Sequence, residues 1–144
     1  MSAIEIARET FERIKAANPH LKMEIEESPE YVDLAMKIKK QTGLDFDVYL
    51  NLQNDDELHL QFDPFWGEWF PCTESARVSE YEAAVNGVLS GAYRTKIINR
   101  RGSPVKALLQ APSVNEWSTV FTWGKLHLPL GAKTISYVQN QPNT

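Results

Sequence analysis

The stretch FDVYLNLQNDDELHLQF, residues 46–62, decides the fold class of this chain. Apolar and polar residues alternate through residues 46–53 and again through 57–62, as they do in strands that bury only one face. The intervening Asn54-Asp55-Asp56 is composed of residues that favour turns. The pattern predicts a β-hairpin with an apolar face on the core and a polar face in water, which is typical of an antiparallel sheet.

An aromatic segment, FDPFWGEWFPC at residues 62–72, overlaps the end of this hairpin and holds five of the fifteen aromatic rings of the chain. Its two prolines and Gly67 predict an irregular edge strand or a covering loop instead of a central strand. Trp66 and Trp69 are three residues apart, so in an extended chain they face opposite sides. We therefore expect at least one of these two rings to be exposed.

Three segments carry helix signals. The first begins with the capping box of Ser2 and Glu5, and the third begins with that of Ser79 and Glu82. The second, residues 28–41, begins with a serine-proline pair and ends in lysines and a glycine. Further strands are predicted around residues 21–26, 65–70, 93–99, 105–110, 117–123 and 134–139.

This order of elements predicts an α+β fold in a single domain, residues 1–144. We expect a mainly antiparallel, curved sheet with about three helices packed on one face. Residues 139–144 are polar and contain a proline, so they are predicted to form a frayed tail. The composition, with 42% hydrophobic and 24% charged residues, is that of an ordinary globular protein.

The single cysteine and the absence of long apolar runs indicate a cytoplasmic location. With only Cys72, the chain has no intramolecular disulfide and no cysteine-rich zinc site. Charged residues interrupt residues 3–17, which does not fit a signal peptide, and no stretch is apolar for the roughly 18 residues of a membrane span. We therefore expect no membrane partner.

The charge of the chain is unevenly distributed. The net charge is −4, yet residues 94–106 carry a local +5 and the remainder −9. The five cations of this basic hairpin are Arg94, Lys96, Arg100, Arg101 and Lys106. The acidic remainder argues against nucleic acid as a partner, and charged residues on an edge hairpin also serve to block aggregation.

No set of residues matches a known catalytic or metal-binding pattern. None of the three histidines has a histidine or cysteine at a ligand spacing, and Asp63 lies about 13 Å along the strand from His59. Asp45 and Asp47 would stand about 7 Å apart on one strand face, but a solvated sheet face beside an acidic turn explains them better than a catalytic pair. Cys72 is interpreted as a buried thiol. We assign no catalytic residue, no metal and no cofactor.

The sequence favours a small non-catalytic binding protein that acts through a protein partner. One version is an immunity-type or chaperone-type inhibitor whose acidic surface binds a basic toxin or effector. The alternative is a small-ligand-binding or enzymatic α+β domain with an aromatic-lined pocket. Trp117 and Trp123, six residues apart, are expected to share a strand face. The candidate binding residues are Trp66, Trp69, Trp117, Trp123, Glu68, Asp63, Asp45, Asp47 and His59.

Overall fold

A computed structural model describes residues 1–142 and contains, within them, two helices and nine strands. The helices are α1 (Ala3–Ala17) and α2 (Ser75–Ser90). The strands are β1 (Glu24–Glu26), β2 (Leu34–Ile38), β3 (Val48–Gln53), β4 (Glu57–Phe62), β5 (Phe65–Trp69), β6 (Arg94–Arg100), β7 (Ser103–Ser113), β8 (Glu116–Gly124) and β9 (Lys133–Val138). They form two antiparallel sheets, in the orders β1-β2-β3-β4-β5 and β8-β7-β6-β9. The predicted α+β class with antiparallel pairing is confirmed.

The hairpin of β3 and β4 forms as the alternation predicts. Leu50 pairs with Leu60, Leu52 pairs with Leu58, and all four side chains are buried. The turn between the strands places Asn54 in the left-handed region, at φ 52°, a conformation that asparagine tolerates better than most residues. The hairpin therefore occupies the middle of the five-stranded sheet, with its leucines on the core side.

The helix predicted over residues 28–41 is wrong, and the structure has two helices where about three were expected. Residues 34–38 form β2, which pairs with β3 from Leu34↔Leu52 to Ile38↔Val48. Leu34, Met36 and Ile38 are buried while Lys37 points outward, so the segment follows the strand period. The apolar positions of this segment fit both the helical period and the strand period. Pairing with β3 of the hairpin made the strand the more stable structure.

One cluster of buried apolar side chains includes residues from both helices and both sheets. Helix α1 packs against β2, and α2 packs against β4 and β5, so both helices lie on the five-stranded sheet. The two sheets meet where β5 contacts β7 and β8, and there Phe121 lies 4.8 Å from Trp69 and 5.8 Å from Phe65, between ring centroids. No helix within residues 1–142 has the length and apolar character needed to cross a bilayer.

The C-terminal segment is docked onto the protein and is not frayed as predicted. Asn140, only 2% exposed, donates from Nδ2 to the carbonyls of Gly43 and Leu89 at 2.8 and 2.7 Å. Its Oδ1 accepts from the backbone N–H of Asp45, and the Asp45 carboxylate accepts from the backbone N–H of Gln141. The last two residues of the predicted tail lie outside the described part of the chain.

Replacing Asn140 should destabilise the fold measurably. The substitution Asn140→Ala breaks three hydrogen bonds and leaves buried backbone groups without partners, so the free energy of unfolding should fall by about 1–3 kcal/mol in urea denaturation. Gln141→Ala is the matched control, because Gln141 bonds only through its backbone and should change stability by less than about 0.5 kcal/mol. Equal stability of the two variants would contradict a docked C-terminus.

Candidate functional site

The polar face of the five-stranded sheet, on the side opposite the leucines, carries a connected group of side chains centred on His59. The sheet register places Asn51 of β3, His59 of β4 and Glu68 of β5 in one row across three strands. His59 is only 1% exposed although it points away from the core. Its neighbours on the polar face therefore cover it.

The hydrogen bonds of His59 define its tautomer. Trp66 Nε1 donates to His59 Nδ1 at 2.6 Å, and Gln53 Nε2 lies 2.9 Å from the same atom. An indole N–H is only a donor, so Nδ1 must accept, and the proton of the neutral ring is then on Nε2. Nε2 lies 3.0 Å from Glu57 Oε1 and 3.8 Å from Glu68 Oε2. The ring is thus oriented with its N–H towards two carboxylates.

Glu57, His59 and Glu68 also have the spacing of a metal site, since their ligand atoms lie within 4.8 Å of one another. A metal ion needs the unprotonated lone pair of the ring nitrogen that it binds. The indole of Trp66 leaves the proton on Nε2, which is the nitrogen that faces both carboxylates. The arrangement therefore suits a proton shared between His59 and Glu57 better than it suits a metal ion.

The sequence analysis identified only part of this network. It paired His59 with Asp63, whereas the carboxylates at its ring come from Glu57, two residues earlier, and from Glu68 on the neighbouring strand. Glu57 could have been found from the strand period alone, because residues two apart share a face. Glu68 and Gln53 required the register of β3 and β5 with β4.

The carboxylates of Asp45 and Asp47 accept hydrogen bonds from backbone N–H groups, and the two residues do not form a pair on one strand face. Both precede β3, which begins at Val48. Asp45 accepts from the C-terminal segment, and Asp47 Oδ1 accepts from the backbone N–H of Lys40 at 2.7 Å. The two residues therefore lie before the strand and not on the solvated sheet face that was expected for them.

The tryptophans divide between the two sides of each sheet. Trp66 is 44% exposed and Trp69 is 6% exposed, which confirms that they face opposite ways. Trp117 and Trp123 do not share a face, contrary to expectation. The register shifts beside Val120, from Leu109↔Phe121 to Gln110↔Thr119, and this bulge inverts the alternation between them. Trp123 packs against the core, whereas the Trp117 ring stacks on Arg94.

Two side chains beneath the site are buried in a protonated state. The Tyr81 hydroxyl donates to the backbone carbonyl of His59 at 2.8 Å, and burial raises the pKa of Tyr81 well above its ordinary 10.0. Cys72 is buried, as expected, and desolvation followed by the Asp56 carboxylate raises the pKa of its thiol. Cys72 is therefore a poor nucleophile.

An open groove of about 480 Å³ lies beside the His59 network on the same polar face. Trp66 belongs to both features, because its ring lines the groove while its indole N–H bonds to His59. The groove also contains Tyr49, two lysines and two aspartates, Asp47 and Asp63. Of the four tryptophans, only Trp66 lines this groove.

Five acidic residues lie at or beside the end of this sheet that contains the β3–β4 turn, and we call them the acidic patch: Asp33, Asp55, Asp56, Glu57 and Glu68. The backbone N–H of Asp55 donates to Asp33 Oδ2, and Glu57 and Glu68 both face His59. Within residues 1–142, no lysine or arginine nitrogen lies within 4.0 Å of these carboxylates. Other acids, such as Glu27 and Glu82, are paired with arginines.

The basic hairpin consists of β6 and β7 and lies in the other sheet. Arg94, Lys96 and Arg100 alternate along β6, so their side chains share its outer face, and Lys106 of β7 joins them opposite Ile98. Arg101 lies in the tight turn between the two strands. The basic hairpin and the acidic patch therefore lie on different sheets, while Lys37 and Lys39 line the groove on the same sheet as the acidic patch.

Neither a protein-family model, nor a curated protein sequence, nor a solved structure matches this chain. Its function is therefore inferred from the chemistry of its own side chains. The three features available for that inference are the acidic patch, the groove at Trp66 and the basic face of the four-stranded sheet.

The tautomer of His59 should depend on Trp66. In the wild-type protein, ¹⁵N NMR should show a proton on Nε2 and none on Nδ1 of His59. Trp66→Phe combined with Gln53→Leu removes both side-chain donors to Nδ1, so the Nδ1–H tautomer should become populated and the free energy of unfolding should fall by about 1–2 kcal/mol.

Trp123→Phe is the control for this experiment, because Trp123 packs in the core away from His59 and its replacement should leave the tautomer unchanged. Protonation of Nδ1 in the neutral ring of the wild type would contradict the assigned network.

Proposed function

We propose that this chain is a non-catalytic protein-binding domain whose acidic patch binds a basic region of a protein partner. The observation that supports the proposal is the acidic patch itself, with five neighbouring carboxylates and no lysine or arginine partner among residues 1–142. Uncompensated charge of one sign attracts oppositely charged partners and accelerates their association.

Exposed aromatic rings supply the apolar part of such an interface. Trp66 bonds to the central histidine of the polar face, Phe70 follows β5, and Tyr31 lies two residues before Asp33. All three rings are exposed. Aromatic residues in a charged surround are typical anchors of protein interfaces, since they bury a large area with little loss of side-chain freedom.

The geometry of the polar face favours binding over catalysis. His59 is buried beneath its neighbours, and its ring N–H is already directed at Glu57. Cys72 is buried and held as a thiol by its raised pKa. A general base or nucleophile must reach the substrate, and neither of these groups is exposed to do so.

The more specific form of the proposal is an immunity-type or chaperone-type inhibitor of a basic toxin or effector. An inhibitor of this kind acts by covering its target, and complementary charge provides both speed and selectivity of association. The acidic patch lies on a sheet packed against two helices, so its carboxylates are presented on a rigid support.

Neutralising the acidic patch should abolish capture of a basic partner. The variant Asp55→Asn, Asp56→Asn, Glu57→Gln removes three charges while retaining side-chain shape and hydrogen-bonding oxygens. In affinity capture from lysate at low salt, wild type should recover a basic protein, and the variant should bind it at least about tenfold more weakly.

The matched control removes three acids elsewhere, through Glu9→Gln, Glu12→Gln and Glu24→Gln, and should capture as the wild type does. Equal capture by both variants, or capture of acidic proteins only, would contradict the proposal.

A second candidate function is binding of a small zwitterionic ligand in the groove at Trp66. The groove is lined by Lys37 and Lys39, by Asp47 and Asp63, and by the rings of Tyr49 and Trp66. Paired cationic and anionic groups around aromatic rings suit a small molecule that carries both charges and a flat apolar part.

Thermal-shift measurements with aromatic amino acids test this second candidate. A ligand at about 100 times its Kd should stabilise the wild type by about 2.7 kcal/mol and raise its Tm. The variant Lys39→Ala, Asp63→Ala should lose the shift, whereas the neutralised acidic patch should keep it. The absence of any shift across the aromatic amino acids would exclude them as ligands of the groove.

A further inference from the structure

The outer face of the four-stranded sheet is the most basic surface of the protein. Residues 94–144 contain seven basic residues and one acid, a formal +6, whereas residues 1–93 carry −10. The sheet register aligns five of these cations on one face, which we call the basic face: Arg94, Lys96, Arg100, Lys106 and Lys133. The single acid, Glu116, lies at the first position of the edge strand β8.

Aromatic and apolar side chains lie among these cations. Tyr137 pairs with Lys96 across the β6–β9 ladder, and Ile135 pairs with Ile98, so both lie on the basic face. Tyr137 is 52% exposed and Ile135 is also exposed. At one end of the face Arg100 donates from Nη1 to the carbonyl of Gly131 and its Nε is buried, whereas Lys106 and Lys133 are exposed and available to a ligand.

Arg94 is held in a fixed position at one end of the basic face. Its guanidinium carbon lies 4.3 Å from the centre of the Trp117 ring and 4.5 Å from that of Tyr137, and its Nε donates to Gln110 Oε1 at 2.9 Å. Within residues 1–142 no carboxylate lies within 4.0 Å of it. An arginine oriented in this way, with donors left over, is suited to bind an anion such as phosphate.

We infer that the basic face binds single-stranded nucleic acid. Same-face residues of a strand are about 7 Å apart, so the cations of β6 form a row about 20 Å long that can follow a sugar-phosphate backbone. Exposed rings beside such a row can stack on bases, and open antiparallel sheets with aromatic residues bind two or three unstacked bases in this way.

Single-stranded nucleic acid fits this surface better than the other polyanions do. A duplex hides the flat faces of its bases, so the Tyr137 ring would have nothing to stack on. An acidic protein would use the cations but would not require an aromatic ring at this position. The acidic remainder was counted against nucleic acid, but 18 of the 19 acids lie in residues 1–93, outside the four-stranded sheet, and salt at about 0.1 M screens charges beyond about 10 Å.

Fluorescence anisotropy with labelled oligo-dT and oligo-U of about 12 nucleotides tests the inference. Wild type should bind both probes at about 50 mM salt and bind a duplex of equal length more weakly. Lys96→Gln with Lys106→Gln removes two phosphate contacts, so the slope of log K against log salt should decrease by about 1.4, and affinity at about 0.1 M salt should fall about 25-fold. Lys15→Gln with Lys40→Gln, outside the four-stranded sheet and outside the groove at Trp66, is the charge-matched control and should bind as the wild type.

Tyr137→Leu separates base stacking from charge. The variant keeps every cation, with Arg94 still held by Trp117 and Gln110, and keeps an apolar side chain, yet loss of stacking should weaken oligonucleotide binding by about 5- to 150-fold, with the fold checked by circular dichroism. The inference is overturned if wild type binds neither oligonucleotide, if duplex or polyglutamate competes as well as oligo-dT, or if Tyr137→Leu binds normally. Neutralising Asp55, Asp56 and Glu57 should leave oligonucleotide binding intact, so this test is independent of the proposed protein interface.

Discussion

The burial of four leucines in the β3–β4 hairpin is the constraint on which the rest of the structure depends. Leu50, Leu52, Leu58 and Leu60 are buried on one side of the central strands, beneath the two helices and against the second sheet. Because successive side chains alternate, burying them turns the intervening residues of both strands to the opposite face. A shift of one residue in the register would exchange the two faces, so the polar site and the core are specified together.

The polar face shows how hydrogen bonds stabilise a buried ionisable side chain, that of His59. His59 lies among neighbours that supply a donor to one ring nitrogen and an acceptor to the other, which satisfies both. Trp66 contributes the donor while its ring remains exposed to solvent and lines the adjacent groove. One residue thus connects the histidine, the groove and the acidic patch. Residues 94–144, which include the four-stranded sheet, carry a formal +6, whereas residues 1–93, which include the acidic patch, carry −10.

The errors of sequence-based prediction have specific physical causes. The segment at residues 34–38 has apolar side chains that suit a helix or a strand, and only the open edge of β3 made the strand the better choice. A bulge in β8 turns Trp117 and Trp123 to opposite faces of the sheet. Their spacing of six residues in the sequence gives no indication of this bulge. Asn140 looked like part of a polar tail, but three backbone groups from distant parts of the chain surround its side chain.

The sequence by itself determined the class of the fold, the central hairpin, the opposite orientation of Trp66 and Trp69, and the basic character of the β6–β7 hairpin. These are local properties, because the alternation of side chains along a strand and the positions of charged residues can be read from consecutive residues of the sequence. Only the tertiary structure decided that Glu68 and Gln53 meet His59, that the acids at Asp33 and Asp55 form one patch, and that the cations share a face with Tyr137. Each of those contacts joins different elements of the fold, and their registers depend on packing the whole core at once.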